Sequence, residues 1–168
     1  MKPNEEALTA ERLRELLSYE PETGEFRWRV GRGGTAVAGG RAGCKQTIGY
    51  RRIGVAGRMY WEHRLAWLYV NGTWPSDQID HVNGVKGDNR IANLREATRS
   101  ENQGNLRQAK SDSKTGLLGV HWNKPNKKFM AQIMFSGKHK YLGLFSTSEQ
   151  AHQAYLVAKR ELHSHCTL

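Results

Sequence analysis

At 168 residues the chain has room for one ordinary domain or two to three small modules, at roughly 150 residues per domain, which excludes a large barrel enzyme. Lys and Arg number 26 against 16 Asp and Glu, a formal charge of +10, and the hydrophobic fraction is 38%; this balance points to a polyanionic partner. Residues 1–26 carry a net −4 and residues 27–168 a net +14, so the basic character belongs to the body of the chain.

No run approaches the ~18 apolar residues of a membrane span. The opening MKPNEEALTAERL carries acids where a secretion signal needs an apolar core. The expectation is a soluble, cytoplasmic protein with no membrane partner. Cys44 and Cys166 stand apart without a Cys-x-x-Cys pair, which argues against a zinc ribbon or disulfide framework and for two reduced thiols.

In chain order, Ala10 to Tyr19 places Leu13, Leu16 and Leu17 on one helical face with Thr9 as N-cap. Phe26 to Val30 alternates apolar and basic with period two and predicts a strand with one buried and one cationic face. Residues 31–49 hold seven glycines and no helical period, and read as a loop; their spacing matches no nucleotide-binding fingerprint. Two strands, Tyr50 to Val55 and Arg58 to Tyr60, flank Ala56-Gly57, and a helix follows from about Trp61 to Val70, stopped by Asn71-Gly72. Trp61, Leu65 and Leu68 fall at helical spacing and read as core. Residues 104–116 are polar and aperiodic, as a linker is. Strands at Gly119 to Asn123, Phe129 to Ser136 and Lys140 to Phe145 then precede a helix from Ser148 to Leu162, with Ala151, Ala154, Tyr155 and Ala158 at helical spacing.

The densest chemistry lies in Gln78 to Asn105, QIDHVNGVKGDNRIANLREATRSENQGN. Asn-Gly and Asp-Asn are common turn dipeptides, and a hairpin accounts for several of these residues. It leaves unexplained the adjacent Asp80-His81 inside the strand-like Ile79-Asp80-His81-Val82. From His63 to Asn105, through His63-Arg64-Leu65-Ala66-Trp67, the Asp-His pair, Asn93-Leu94-Arg95 and Ser100-Glu101-Asn102-Gln103, the chain resembles the HNH endonucleases, in particular the phage and intron-encoded homing type. That resemblance implies a strand, loop, strand and helix around one divalent ion. It implies Asp80 and Asn102 as metal ligands, His81 as general base, and Asn93 as support for His81, directly or by bracing the loop. A carboxylate and an amide oxygen are hard donors that suit Mg²⁺, or Mn²⁺, rather than zinc. Asp80 and Asn102 stand where better-known relatives carry histidines. His63 and Arg64, at a helix start, are open to two readings, a phosphate contact or packing; Arg64 is kept as a candidate DNA contact.

Residues 116–162 resemble a second family, the Apetala or ethylene-response-factor type DNA-binding domain, through Gly119-Val120, Lys128-Phe129-x-Ala131-x-Ile133, Leu142-Gly143-x-Phe145 and Glu149-x-Ala151-x-x-Ala154-Tyr155. The resemblance implies a three-stranded sheet laid in the DNA major groove with a helix packed behind. If Phe129, Ala131, Ile133 and Phe135 face the helix, alternation turns Lys128, Met130, Gln132 and Met134 outward, together with His121, Asn123, His139 and Tyr141. Gln132 and Asn123 suit adenine, while Lys124, Lys127, Lys138 and Lys140 suit phosphates.

The expected fold class is therefore α+β: an N-terminal helix and strand region (1–60), a ββα-metal HNH module (61–108), a linker (109–116), and a three-stranded antiparallel sheet packed on one helix (117–168). The expected activity is metal-dependent hydrolysis of double-stranded DNA. Two rivals stay open: a non-catalytic DNA-binding regulator using the C-terminal sheet, and a phage nuclease for DNA packaging or host DNA degradation.

Overall fold

A computed structural model describes residues 8–31, 33–34, 36–104, 109 and 113–162, and the chain divides into two compact units, Met1–Ala97 and Thr98–Leu168. Residues 110–112 of the expected linker, together with His163, His165 and Cys166, lie outside the described residues.

In the first unit, α1 (Ala10–Leu16) starts at Thr9, whose side chain accepts from the Arg12 N–H at 3.2 Å. The helix is shorter than expected. Leu17 turns extended (φ −130, ψ 145) and opens β1 (Leu17–Glu20), which pairs antiparallel with β2 (Glu25–Trp28). Leu17 and Tyr19 are both buried. Residues two apart point to opposite sides of a helix and to the same side of a strand, so only the strand buries both. Phe26 and Trp28 fill the inner face of β2 while Arg27 is exposed.

The glycine-rich stretch is more ordered than the expected loop. Backbone bonds from Trp28 N to Gly40 O, from Gly39 N to Trp28 O and from Ala42 N to Phe26 O lay it along β2. It leads into β3 (Cys44–Lys45), the edge of a sheet ordered β3-β4-β5 with β4 (Arg51–Val55) and β5 (Arg58–Trp61). Positive φ at Ala56 (49) and Gly57 (77) makes the tight hairpin turn that matches strand twist. α2 (Glu62–Asn71) follows and ends on Gly72 at φ 77, its N–H bonded to Leu68 O. Then come β6 (Gln78–His81), a 3-10 turn at Ile91–Asn93, and β7 (Leu94–Ala97), antiparallel to β6.

One hydrophobic cluster joins Leu13, Leu17 and Phe26 to Ile53, Val55, Leu65, Leu68, Ile79 and Leu94. The expected boundary at residue 60 is therefore not a boundary between cores: the helix and hairpin that open the chain are too small to enclose an interior alone and share one with α2 and β6.

In the second unit, α3 (Arg99–Gly104) is followed by β8 (Val120–Asn123), β9 (Lys128–Phe135), β10 (Lys138–Phe145) and α4 (Ser148–Leu162). The sheet is antiparallel in the order β10-β9-β8. Ala151, Tyr155 and Ala158 of α4 are buried with Val120, Ala131 and Ile133. A register shift between Tyr141 and Gly143 lets Leu142 and Phe145 both pack inward. Gly119 (φ 71) is obligatory, since a Cβ there would sit 2.0 Å from the Tyr155 ring. No described helix is long and apolar enough to cross a membrane.

Candidate active site

β6 carries Asp80 and His81 side by side, and the pairing with β7 sets Asp80 opposite Arg95 and His81 opposite Leu94. Cross-strand register thus gives Asp80 a cationic partner: Nε and Nη2 of Arg95 donate to Oδ2 of Asp80 at 3.1 and 2.9 Å. Both residues of the Asp-His pair are buried.

His81 is 4% exposed, and its Nε2 lies 3.1 Å from Oδ1 of Asn89, itself 1% exposed. With an amide oxygen facing the ring, Nε2 is the donor and Nδ1 keeps the lone pair. Burial pushes the imidazole below its ordinary pKa, opposed by the Asn89 hydrogen bond and the charges of Asp80 and Asp88. The ring is therefore neutral near pH 7, the form that a base requires.

Among the described residues the hydrogen bonds of Asn93 go to the loop between β6 and β7, which it clamps, and not to the imidazole. Its Oδ1 accepts from the Asn83 N–H at 2.9 Å, its Nδ2 donates to Asp88 O at 2.8 Å, and its carbonyl accepts from Val82 N. Asn83 Nδ2 in turn donates to Asp88 Oδ2 at 2.7 Å. The Arg90 guanidinium grips the same carboxylate at 2.8 and 2.6 Å and, as the largest cause, lowers its pKa to about 2. Of the two roles expected for Asn93, the geometry is that of loop bracing, and the residue that holds the ring is Asn89.

Two distant segments press this loop into place. From β1, the Tyr19 hydroxyl donates to Asn89 O at 2.8 Å, and burial raises its pKa to about 12. From the β1–β2 turn, Gly24 (φ +73) approaches so closely that a Cβ would lie 2.4 Å from both Asn89 C and Arg90 N. On the other flank Lys86 Nζ donates to Ile48 O at 3.2 Å and sits 5.2 Å from the centre of the Tyr50 ring. That ring lies 5.8 Å from His81, and His63 lies 5.3 Å from each of them. Burial, then the Asp80 charge, raises the Tyr50 phenol.

The start of α2 is held by the same rings and by backbone carbonyls. His63 packs among the rings of Trp61, Tyr50 and His81. Arg64, expected as a candidate DNA contact, is 7% exposed, and its guanidinium donates to Asp77 O at 2.9 Å and Pro75 O at 3.2 Å, fastening the segment that leads into β6. Asn89, Arg95, Tyr19 and Gly24 carry no site role in the sequence reading, although Asn89 and Arg95 lie in its densest stretch. The only local signal was the Asp88-Asn89 dipeptide, which also suits an ordinary turn.

Asn102 lies on α3, within the second unit, where its N–H bonds Thr98 O at 2.9 Å. Among the described residues no group of three or more His, Cys, Asp and Glu could hold a metal ion. The candidate donors are a carboxylate and an amide oxygen, a set that fits a hard, largely hydrated divalent ion and not zinc.

On the sheet of the second unit, register pairs His121 with Met130, Asn123 with Lys128, Met134 with His139 and Gln132 with Tyr141, so the expected outward residues share one face. Tyr141 is 60% exposed, and Lys124 is exposed in the β8–β9 turn. Asn123, expected as a base reader, has its Oδ1 accepting the N–H and the side-chain amide of Asn126 at 3.1 Å each in the β8–β9 turn. Phe135, expected against the helix, is exposed at the β9–β10 turn.

Residues 60–103 match the HNH endonuclease family. The chain is 30% identical over 102 residues to Protein 3.8 of Escherichia phage T7, covering 60% of this chain and 83% of that protein. No solved structure matches.

Proposed function

We propose that this chain, which belongs to the family of phage T7 Protein 3.8 and carries an HNH endonuclease domain at residues 60–103, hydrolyses phosphodiester bonds in double-stranded DNA. The observation that carries this reading is a buried His81 held by Asn89 at 3.1 Å, adjacent in β6 to Asp80.

In this reading His81 Nδ1 takes the proton from the attacking water, and the Asn89 oxygen accepts the Nε2 hydrogen and steadies the resulting imidazolium. Asn93 keeps the loop closed so that Asn89 stays in place. Asp80 would offer its carboxylate to the divalent ion, Mg²⁺ in first place and Mn²⁺ as a substitute, and Asn102 is kept as the second ligand on the likeness to HNH endonucleases alone. When bound, that ion supplies charge neutralisation at the phosphate and leaving oxygen. Arg95 orients Asp80 through the two guanidinium hydrogen bonds to its Oδ2. The outward face of the second unit, with His121, Lys128, Gln132, Met134, His139 and Tyr141, docks on the duplex in the manner of an ethylene-response-factor type domain, and Lys124 contacts phosphate. One such centre cuts one strand per engagement, so nicking is the first product. Action on DNA in a bacterial cytoplasm, as a homing-type enzyme, is the biological setting we assign.

The test is conversion of supercoiled plasmid by wild type and His81→Ala with Mg²⁺, Mn²⁺ or chelator, with DNA binding measured in parallel. Metal-dependent nicking lost only in the variant supports the reading. Equal binding by both proteins with no cutting of any plasmid replaces it by the DNA-binding regulator, and relaxed site choice favours packaging or host DNA degradation.

A further inference from the structure

The loop between β6 and β7 has at its tip the run Gly84-Val85-Lys86-Gly87. The Val85 N–H bonds Oδ1 of Asn83 at 2.8 Å, and Val85 O accepts from the Asp88 N–H at 3.0 Å. The tip is therefore built into the same braced loop that carries Asn89. Against it lies the turn between β3 and β4, closed by the Gly49 N–H on Gln46 O at 2.9 Å. The two turns touch: a Cβ at Gly87 would lie 3.6 Å from Gly49 O, and one at Gly49 (φ +91) would lie 3.5 Å from Cδ of Lys86.

Lys86 bridges the contact. Its stem runs past Gly49, its Nζ donates to Ile48 O at 3.2 Å, and the ammonium lies 5.2 Å from the centre of the Tyr50 ring. An ammonium carries three donors, and the carbonyl takes one of them. Lys86 is exposed and makes no ion pair among the described residues. The acid nearest to it in the loop, Asp88, is engaged by Arg90 and Asn83 instead. The result is a cation held in place by a carbonyl and an aromatic face, with donors and charge left for an anion from outside. Holding a long, flexible lysine stem in one place before binding reduces the entropy lost when a ligand arrives.

The position of this cation is set by the same ring that packs on the base. Tyr50 lies 5.8 Å from His81, so one aromatic ring separates the ammonium from the imidazole within one compact unit.

We propose that Lys86 is a phosphate-binding residue of the site: its ammonium takes a DNA backbone phosphate adjoining the scissile bond and so sets the reacting phosphate against His81. The assignment rests on the nuclease reading and adds a substrate contact supplied by the loop itself. Such a contact fixes position without reading sequence.

The experiment has two arms, both on the full-length protein. In the first, binding of His81→Ala protein to duplex DNA is measured across a salt series with and without Lys86→Gln. One phosphate contact contributes about 0.9 to the log-log slope, and the second substitution is expected to flatten it by about that amount. In the second, single-turnover nicking of supercoiled plasmid with Mg²⁺ at saturating protein compares wild type, Lys86→Gln and Lys86→Arg. Misplacing the reacting phosphate is expected to slow Lys86→Gln by about 10–100-fold, whereas Lys86→Arg, which keeps the charge, recovers most of the rate. Equal melting temperatures for wild type and Lys86→Gln, expected at an exposed position, separate loss of the contact from loss of the fold. An unchanged salt slope, or nicking by Lys86→Gln at the wild-type rate, overturns the role of Lys86 and leaves the nuclease reading intact. Failure of the wild type itself to nick any plasmid overturns both.

Discussion

Replacing Asn89 with Ala removes the acceptor that holds His81 and leaves Nε2 without its partner in a ring 4% exposed. An orphaned buried donor costs about 1–3 kcal/mol. Part of that is offset, because Asn89 Nδ2 is itself buried with no acceptor among the described residues, so deleting it relieves a second unmet group. A net stability loss of about 1 kcal/mol is expected. The rate should suffer more: with the ring free to rotate and to exchange tautomers, the water-facing Nδ1 is no longer fixed, and loss of such a support typically costs about 10–100-fold. That range corresponds to about 1.4–2.7 kcal/mol of transition-state stabilisation. Single-turnover nicking of supercoiled plasmid at saturating protein reads the chemical step, and a parallel binding measurement reads DNA affinity. Slower nicking with unchanged affinity is the expected pair of results. A folded Asn89→Ala protein that nicks at the wild-type rate would refute the assignment of Asn89 to the ring.

Gly24→Ala drives a methyl into Asn89 C and Arg90 N at a position with φ +73, and is expected to lower stability by about 1–3 kcal/mol, read by urea unfolding, and to slow nicking as well. Asp88 has a folded pKa of about 2 against an ordinary 3.8, and its side chain is 16% exposed. The depressed value means that its contribution, about 2 kcal/mol, is present above pH 4 and is lost as pH falls towards 2. Urea midpoints for wild type and Asp88→Asn should therefore converge in acid, and parallel curves would contradict the Arg90 grip. Arg95→Ala takes the guanidinium from the buried Asp80 carboxylate and should destabilise the metal-free protein by on the order of 3 kcal/mol. Mg²⁺ should then raise the melting temperature of the variant more than that of wild type; equal shifts would argue against Asp80 as a ligand.

Local pattern made much of the chain readable. The helix Ser148–Leu162 has the bounds expected from its alanine and tyrosine spacing, because a long amphipathic period with a capped start has few competing solutions. The Ala56-Gly57 hairpin and the Gly72 stop were legible because positive φ is a single-residue property. The period was misread where two elements abut: Leu16 and Leu17 looked like one helical face, yet Tyr19 needed burial too, and pairing with β2 decided in favour of a strand.

From the sequence alone came the basic charge, the Asp80-His81 pair within a strand, the loop rich in Asn and Asp, and the alternation that sorts the second sheet into two faces. Each follows from residue type and spacing over a few positions. Tertiary structure decided which amide holds the base, that Arg95 faces Asp80, that Arg64 is spent on Pro75 and Asp77 carbonyls, and that Tyr19 and Gly24 shape the loop around Asn89. The physical reason is separation along the chain: Tyr19 and Asn89 are 70 residues apart, and no local propensity encodes a contact that forms only when one shared core draws the first hairpin against the loop after β6.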